Sequence, residues 1–276
     1  MPSLPTTRSL PKIFAGFNQT KLVRKFLIVL FLIFLFLRQS LAPDASSFAA
    51  PFAQTLTANE KAQALLQTLS PQEKVGQLFL VNFPGQTADT DTLIHNLIVN
   101  YHIGGVILEA RNNNFASGDN TLPAALGLIQ ALQLAEFNGA QQEIVDPTTL
   151  DAELPNYIPL FVGISQNGDG YPYDQIYTGL TKLPNPMAIG ATWKPELAER
   201  VGFVAGQELS ALGLNLLLGP SLDVLDNPSP ESLGDLGVRT FGGDAYWVGQ
   251  MGSAYVRGVH QGSAGKMAVI SRVWRV

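Results

Sequence analysis

The segment from Asn215 to Leu218 is a short apolar run with no alternation, and a strand of that kind needs both of its faces covered. Its flanks agree with that reading. Gly213, which lacks a Cβ, suits the left-handed position that closes a preceding helix. Gly219-Pro220 is expected to break the run, because proline cannot donate to a sheet ladder. Asp223, and Arg239 after a Pro-, Gly- and Ser-rich loop, are then expected at or beyond the carboxyl end of a parallel strand. Binding sites of α/β folds lie there.

The same unit recurs along the chain. Thr57 to Glu60 and Ser70 to Glu73 both read as capping boxes, the second with Pro71 at the first helical position. The first helix spaces Ala62, Leu65, Leu66 and Leu69 on one face, and the second is expected to carry Val75 and Leu78 inward. Strands are predicted near Phe79 to Phe83, Ile103 to Leu108, Ile158 to Ile164, Asn215 to Leu218 and Met267 to Ile270. Helices are predicted around Asp91 to Asn100, Leu122 to Asn138, from Pro195 on, and Ala245 to His260. The Pro195 helix places Leu197, Val201, Val204, Ala205, Leu209 and Leu212 on one face. Five β–α units with no hairpin signal between them argue for an all-parallel sheet. Closing eight such units takes about 250 residues, and the fifth strand arrives at the last residues of this chain, so the barrel is expected to be incomplete.

The charge is distributed unevenly. Of 17 Lys+Arg, 11 lie beyond Ala42, with all 22 Asp+Glu, which gives that part a net charge of −11. So acidic a surface repels phosphate backbones and excludes nucleic acid as a partner. The basic residues before Ala42 include Arg24-Lys25, which precede an unbroken apolar run from Phe26 to Leu37. That run is shorter than the roughly 20 residues needed to span a bilayer and suits the core of a signal peptide. Ser40-Leu41-Ala42 offers small residues for cleavage, while Arg38 keeps an uncleaved anchor open. Residues 1–42 are therefore read as a signal peptide or signal anchor, 43–56 as a linker and 57–276 as the folded domain. Export follows, with membrane contact only through the N-terminal segment. The chain has no Cys, which excludes disulfides and a thiol nucleophile. Neither metal-ligand spacing nor a phosphate loop is present, so no cofactor is expected.

Six segments in order resemble glycoside hydrolase family 3, in its bacterial β-N-acetylhexosaminidase branch with the β-glucosidases as cousins. They are Leu69 to Phe79, His102 to Leu108, Ile158 to Ile164, Leu183 to Thr192, Gly219 to Val224 and Arg239 to Gly242. The resemblance implies an α/β fold, an incomplete TIM-type (β/α) barrel with about five of eight parallel βα units. It also implies hydrolysis of O-glycosyl bonds and a carbohydrate substrate carrying β-linked N-acetylglucosamine or glucose. Arg239 matches the family arginine that contacts sugar hydroxyls, as suits a fixed fork of donors; pairing with Asp223 or Asp244 is the alternative. Asp223 matches a family aspartate at a strand end, where orienting a loop or Arg239 is the competing role.

Two segments depart from the family. After Ile164 the family usually reads Asp-Gln-Glu-Gly-Gly, whereas this chain has Ser165-Gln166-Asn167-Gly168-Asp169-Gly170. Ser165 stands in the carboxylate's place as a weaker, uncharged partner. Asp169 either reaches in to replace it or serves an ordinary Asp-Gly turn. Tyr171, Tyr173 and Tyr177 either stack on sugars or pack the loop. The fifth strand usually runs into Lys-His-Phe-Pro-Gly-His-Gly, and here it reads Ser271-Arg272-Val273-Trp274-Arg275-Val276. Arg272 sits where the lysine belongs, and Val273 cannot replace the histidine's hydrogen bonds.

The resemblance assigns no catalytic residue to the chain: the nucleophilic Asp and the acid/base loop are expected past residue 276. A truncated, catalytically silent hydrolase is thus the expectation, and a half-barrel is expected to be poorly soluble. A non-catalytic carbohydrate-binding protein and an exported α/β solute-binding protein stand as alternatives.

Overall fold

A computed structural model describes residues 57–145, 152–170, 173–225 and 236–272. The apolar run Phe26 to Leu37, Arg38, the linker 43–56, Tyr171 and residues 273–276 lie outside the described residues. The chain divides into two units, Met1–Thr57 and Ala58–Val276.

Two helices open the second unit, α1 (Ala58–Thr68) and α2 (Pro71–Gly76). The Ser70 hydroxyl accepts from the Glu73 N–H at 3.2 Å and the Glu73 carboxylate accepts from the Ser70 N–H at 2.7 Å, so the expected capping box forms around Pro71. The expected inward faces do not. Helix α1 buries no residue, and Leu65 and Leu66 stay in solvent. Leu78 is 81% exposed and Val75 57%, because α2 turns Glu73 and Gly76 inward instead. A side chain at Gly76 would collide with the carbonyls of Tyr101 and His102, so this helix packs by its backbone.

Five strands follow in one sheet: β1 (Leu80–Val81), β2 (Gly105–Ile107), β5 (Phe161–Ile164), β6 (Leu216–Ser221) and β7 (Ala268–Arg272). They lie in the order β1-β2-β5-β6-β7, all parallel, each joined to the next by a helical crossover. The crossovers carry α3 (Leu93–Tyr101), α4 (Thr121–Gly139), α5 (Pro186–Gly190) with α6 (Pro195–Ala211), and α7 (Ala245–Gly262). This is the incomplete (β/α) barrel that the pattern implies. Between α4 and β5 the chain adds a small antiparallel pair that the pattern did not signal, β3 (Ile144–Val145) with β4 (Ala152–Glu153).

Gly219-Pro220 does not end β6. Its peptide bond is cis, the pairing with β7 is irregular between Leu218 and Ser221, and Ser221 resumes it opposite Arg272. The irregularity absorbs the missing N–H of proline and lets the strand run on.

The core lies between one face of the sheet and the helices. Val106, Val162, Ile164 and Leu217 meet Ile98, Leu128, Leu132, Leu209 and Val259 there. Helices α6 and α7 approach backbone to backbone. A Cβ on Gly202 or Gly206 would strike the carbonyls of Tyr255 or Val259, and one on Gly258 or Gly262 those of Glu199 or Phe203. Ala198, Gly202, Ala205 and Gly206 are thus deepest in α6, while Leu197, Val201 and Val204 are displaced toward a cavity of about 500 Å³.

Candidate functional site

The carboxyl ends of β5 and β6 carry the densest polar network that the sequence pattern pointed to. Past Ile164, Gln166 ties the loop down: its Oε1 accepts from Gln175 and Ile176 N–H, both at 3.0 Å, and its Nε2 donates to the Ile176 carbonyl at 2.9 Å. Buried Asp174 organises the turn before it, accepting from Asn167 N–H at 2.8 Å and from Gly170 N–H at 2.9 Å. Gly168 (φ +81°) and Gly170 (φ +71°) supply the left-handed residues this turn requires. The Asp-Gly turn therefore forms. The pKa of the buried Tyr255 hydroxyl is raised by burial first and then by the charges of Asp169 and Asp174.

Arg239 closes a short 3-10 turn, Gly237–Arg239, after β6. Its Nε donates to the Leu236 carbonyl at 3.2 Å, and its guanidinium carbon sits 3.9 Å above the centre of the Tyr173 ring. The loop after β6 is thereby laid on the loop after β5. Gly190 makes this possible, since a Cβ there would strike the Phe241 carbonyl and push the Arg239 segment off α5. Buried Asp223 accepts from the Ser221 hydroxyl at 2.6 Å, and its own N–H donates back to Ser221 Oγ at 3.4 Å, which fixes the chain where it leaves β6. The other acid considered for Arg239, Asp244, caps α7 by accepting from the Trp247 N–H at 3.0 Å.

The five residues singled out by the sequence come to one end of the sheet in this way. Ser165 follows β5 directly and is half-buried; Asp223 lies two residues past β6; Arg272 ends β7 opposite Ser221. Arg239 meets the loop after β5 through Tyr173, and Asp169 lies in the turn that follows β5. Sequence reasoning missed Asp174, Thr240 and Tyr255. Thr240 Oγ1, Tyr255 OH and Asn167 Oδ1 are buried without a protein partner among the described residues. A cavity of about 270 Å³ opens nearby between Gln166, Asp174, Tyr177, Lys182 and Glu208, and neither Arg239 nor Asp223 lines it.

A second buried polar cluster sits at the opposite, amino ends. Glu73 accepts from the Asn156 N–H at 2.6 Å and Glu136 from the Ile158 N–H at 3.3 Å. Burial pushes Glu136 up to about 7 against its hydrogen bond, with the Glu73 charge adding to the rise. Burial would raise Glu73 as well, but hydrogen bonds from Ser70 and Asn156 outweigh it and hold that carboxyl below its ordinary value. Burial lowers His102, opposed by the Glu73 charge. Glu73 and Glu136 anchor the chain entering β5 through its backbone N–H groups and lie away from the strand-end loops. Among the described residues no cluster of metal-binding side chains occurs.

Sequence and fold are both shared with known proteins. Residues 70–272 match the model of the glycosyl hydrolase family 3 N terminal domain. The chain is 30% identical over 167 residues to beta-hexosaminidase A of Pseudoalteromonas piscicida, covering 59% of this chain and 24% of that protein. It is 28% identical over 213 residues to a beta-N-acetylglucosaminidase/beta-glucosidase of Cellulomonas fimi, covering 76% of this chain and 31% of the relative. Among solved structures, a family 3 beta-N-acetylglucosaminidase from Paenibacillus sp. str. FPU-7 superposes with a TM-score of 0.58 at 31% identity, over 74% of this chain and 33% of that one. The chain thus spans about a third or less of the length of each of these three relatives.

Proposed function

The chain belongs to glycosyl hydrolase family 3, and from that premise we propose that it forms the sugar-holding part of a glycosidase acting on β-linked N-acetylglucosamine or glucose. The Cellulomonas fimi relative, whose name carries both activities, supports keeping the two sugars together. One observation carries the reading: Arg239, stacked on Tyr173, bridges the loops after β5 and β6 at the carboxyl ends of the strands.

The chemistry follows from the side chains. A guanidinium centred over an aromatic ring is restrained in position, and its planar fork of nitrogens suits two neighbouring hydroxyl oxygens of a pyranose. Carboxylates accept from sugar hydroxyls, and Asp223 and Asp169 bring negative charge to the same end of the sheet. Ser165, next to β5, adds a neutral hydroxyl where a third carboxylate would grip harder. Retaining hydrolysis further needs two carboxyl groups about 5–5.5 Å apart across the glycosidic bond. We assign the residues named here to holding the sugar and none of them to breaking that bond.

Calorimetric titration of the purified chain with N-acetylglucosamine and with glucose tests the proposal. Arg239→Ala is expected to weaken whichever sugar binds by at least about tenfold, the worth of a charge-assisted hydrogen bond. Arg239→Lys should recover only part, because an ammonium cannot reproduce the planar fork. Equal binding by wild type and Arg239→Ala, or no binding of either sugar, would end this reading.

A further inference from the structure

A second aromatic group stands where the chain enters the helices α6 and α7, close in sequence to the segment that carries Arg239. Trp193 packs edge to face on Trp247, with ring centres 5.1 Å apart and planes at 86°, and Tyr246 meets the same ring at 5.5 Å and 78°. Trp247 is half-buried and packs against the core, whereas Trp193 is 57% and Tyr246 67% exposed. Two large rings are thus held out in solvent on a fixed base, which is not the usual fate of such side chains.

Their backbone is held as firmly. Trp193 has φ +53°, an uncommon left-handed conformation for a bulky residue, and its N–H donates to the Gly190 carbonyl at 3.0 Å. Gly190 is the residue pressed against the Phe241 carbonyl, two positions after Arg239. On the other side Asp244 caps the helix that begins with Ala245 and Tyr246. Both rings are therefore tied through short rigid connections to the segment that carries Arg239. Tyr246 lies seven positions after Arg239, which limits the distance to about 25 Å, the reach of a few linked sugar rings.

The chemistry of the patch selects its ligand. No side-chain hydrogen bond engages Trp193, Tyr246 or Trp247 among the described residues, so two indole N–H groups and a phenol are available beside the ring faces. Apolar faces rimmed by donors match a pyranose, which has an apolar C–H face and a rim of hydroxyls. We propose that Trp193 and Tyr246, set on Trp247, form a second carbohydrate-binding surface that stacks on outer rings of a β-linked oligosaccharide. This rests on the reading of Arg239 as the holder of a terminal sugar.

The test compares N-acetylglucosamine with its β-1,4-linked tetramer, and glucose with cellotetraose, by calorimetry on the full chain. The wild type is expected to bind the tetramer about tenfold tighter than the monomer, the scale of one or two stacked rings. The double variant Trp193→Ala/Tyr246→Ala should bind the tetramer no better than the monomer and leave monomer affinity unchanged. Trp193→Phe, which keeps a stacking face, should retain most of the gain. A tetramer preference that survives the double variant, or none in the wild type, overturns the surface while leaving Arg239 as the monosaccharide holder. Trp193-dependent tetramer binding without monomer binding instead removes the Arg239 reading and keeps the surface. A double variant that changes only self-association on a sizing column also counts against the proposal.

Discussion

Glu136 shows how one side chain can set a pH dependence without touching the strand-end site. It is buried, it accepts from a single backbone N–H, and its pKa rises to about 7. A folded-state value above the ordinary 4.5 means the fold favours the protonated acid. The stability this contributes is fully present below about pH 4.5 and is lost as pH rises through about 7. Glu73 runs the other way: its lowered value gives stability that is present above the ordinary carboxyl range and lost as pH falls through its folded pKa. Glu136→Gln keeps an acceptor for Ile158 and removes the charge. The variant is expected to match wild type at pH 4.5 and to exceed it at pH 8 by on the order of 1–2 kcal/mol, allowing for solvent screening. Urea midpoints at the two pH values measure this, and equal differences at both would show that Glu136 does not titrate in this range. The sequence did hold a signal for the residue: Gln133 and Glu136 stand three apart on a helix that otherwise buries Leu128, Ile129, Leu132 and Ala135. Gln133 likewise serves backbone, bonding both the N–H and the carbonyl of Leu160 at 3.1 and 2.9 Å.

At the scale of elements, the helices were legible wherever an apolar face meets the sheet and misread wherever backbone meets backbone. Helices α3, α4 and α7 fall where periodicity places them, and Gly213, at φ +88°, follows the last turn of α6 as expected. Val75 and Leu78 were assigned inward because apolar spacing alone cannot show that a helix docks by Glu73 and Gly76. The strand-end residues were placed by topology alone. Their partners were not, since the contact of Arg239 with Tyr173 joins two loops whose paths no local pattern specifies. Glycine lowers helix propensity, yet Gly202, Gly206, Gly258 and Gly262 form the contact between α6 and α7, which no apolar spacing signals. Two substitutions in α7 separate these roles. Gly258→Ala drives a methyl group into the Glu199 carbonyl and should cost about 1–3 kcal/mol. Gly249→Ala meets nothing within 4 Å and should stabilise by up to about 1 kcal/mol through helix propensity. Thermal unfolding of both variants decides; similar effects of the two would mean that the close approach of α6 and α7 contributes nothing.

For the molecule as a whole, the consequence of five strands is a sheet with two unlike faces. Parallel pairing sets Leu80, Gly105 and Phe161 in one row, Gly163, Leu216 and Ala268 in the next, and Leu218 with Ile270 in a third, all on the face away from the helices. Part of this surface seals itself. A Cβ on Gly105 would come within 2.6 Å of the Phe161 Cβ and 2.9 Å of Leu80 Cδ2, so these two side chains close over the glycine. The seal is incomplete, because Leu80, Phe161 and Ile270 remain exposed, and β1 and β7 each pair on one side only among the described residues. An apolar face between two open edges recruits other chains or hydrophobic probes. The net charge of −11 beyond Ala42 opposes close association of like copies but leaves small uncharged probes unaffected. The full chain is therefore expected to enhance the fluorescence of an uncharged solvatochromic dye such as Nile red in native buffer and to scatter light increasingly with added salt. Phe161→Glu combined with Ile270→Glu should reduce both signals while the helical circular dichroism is kept. A monodisperse monomer that binds no dye would mean that some other part of the polypeptide already covers this face.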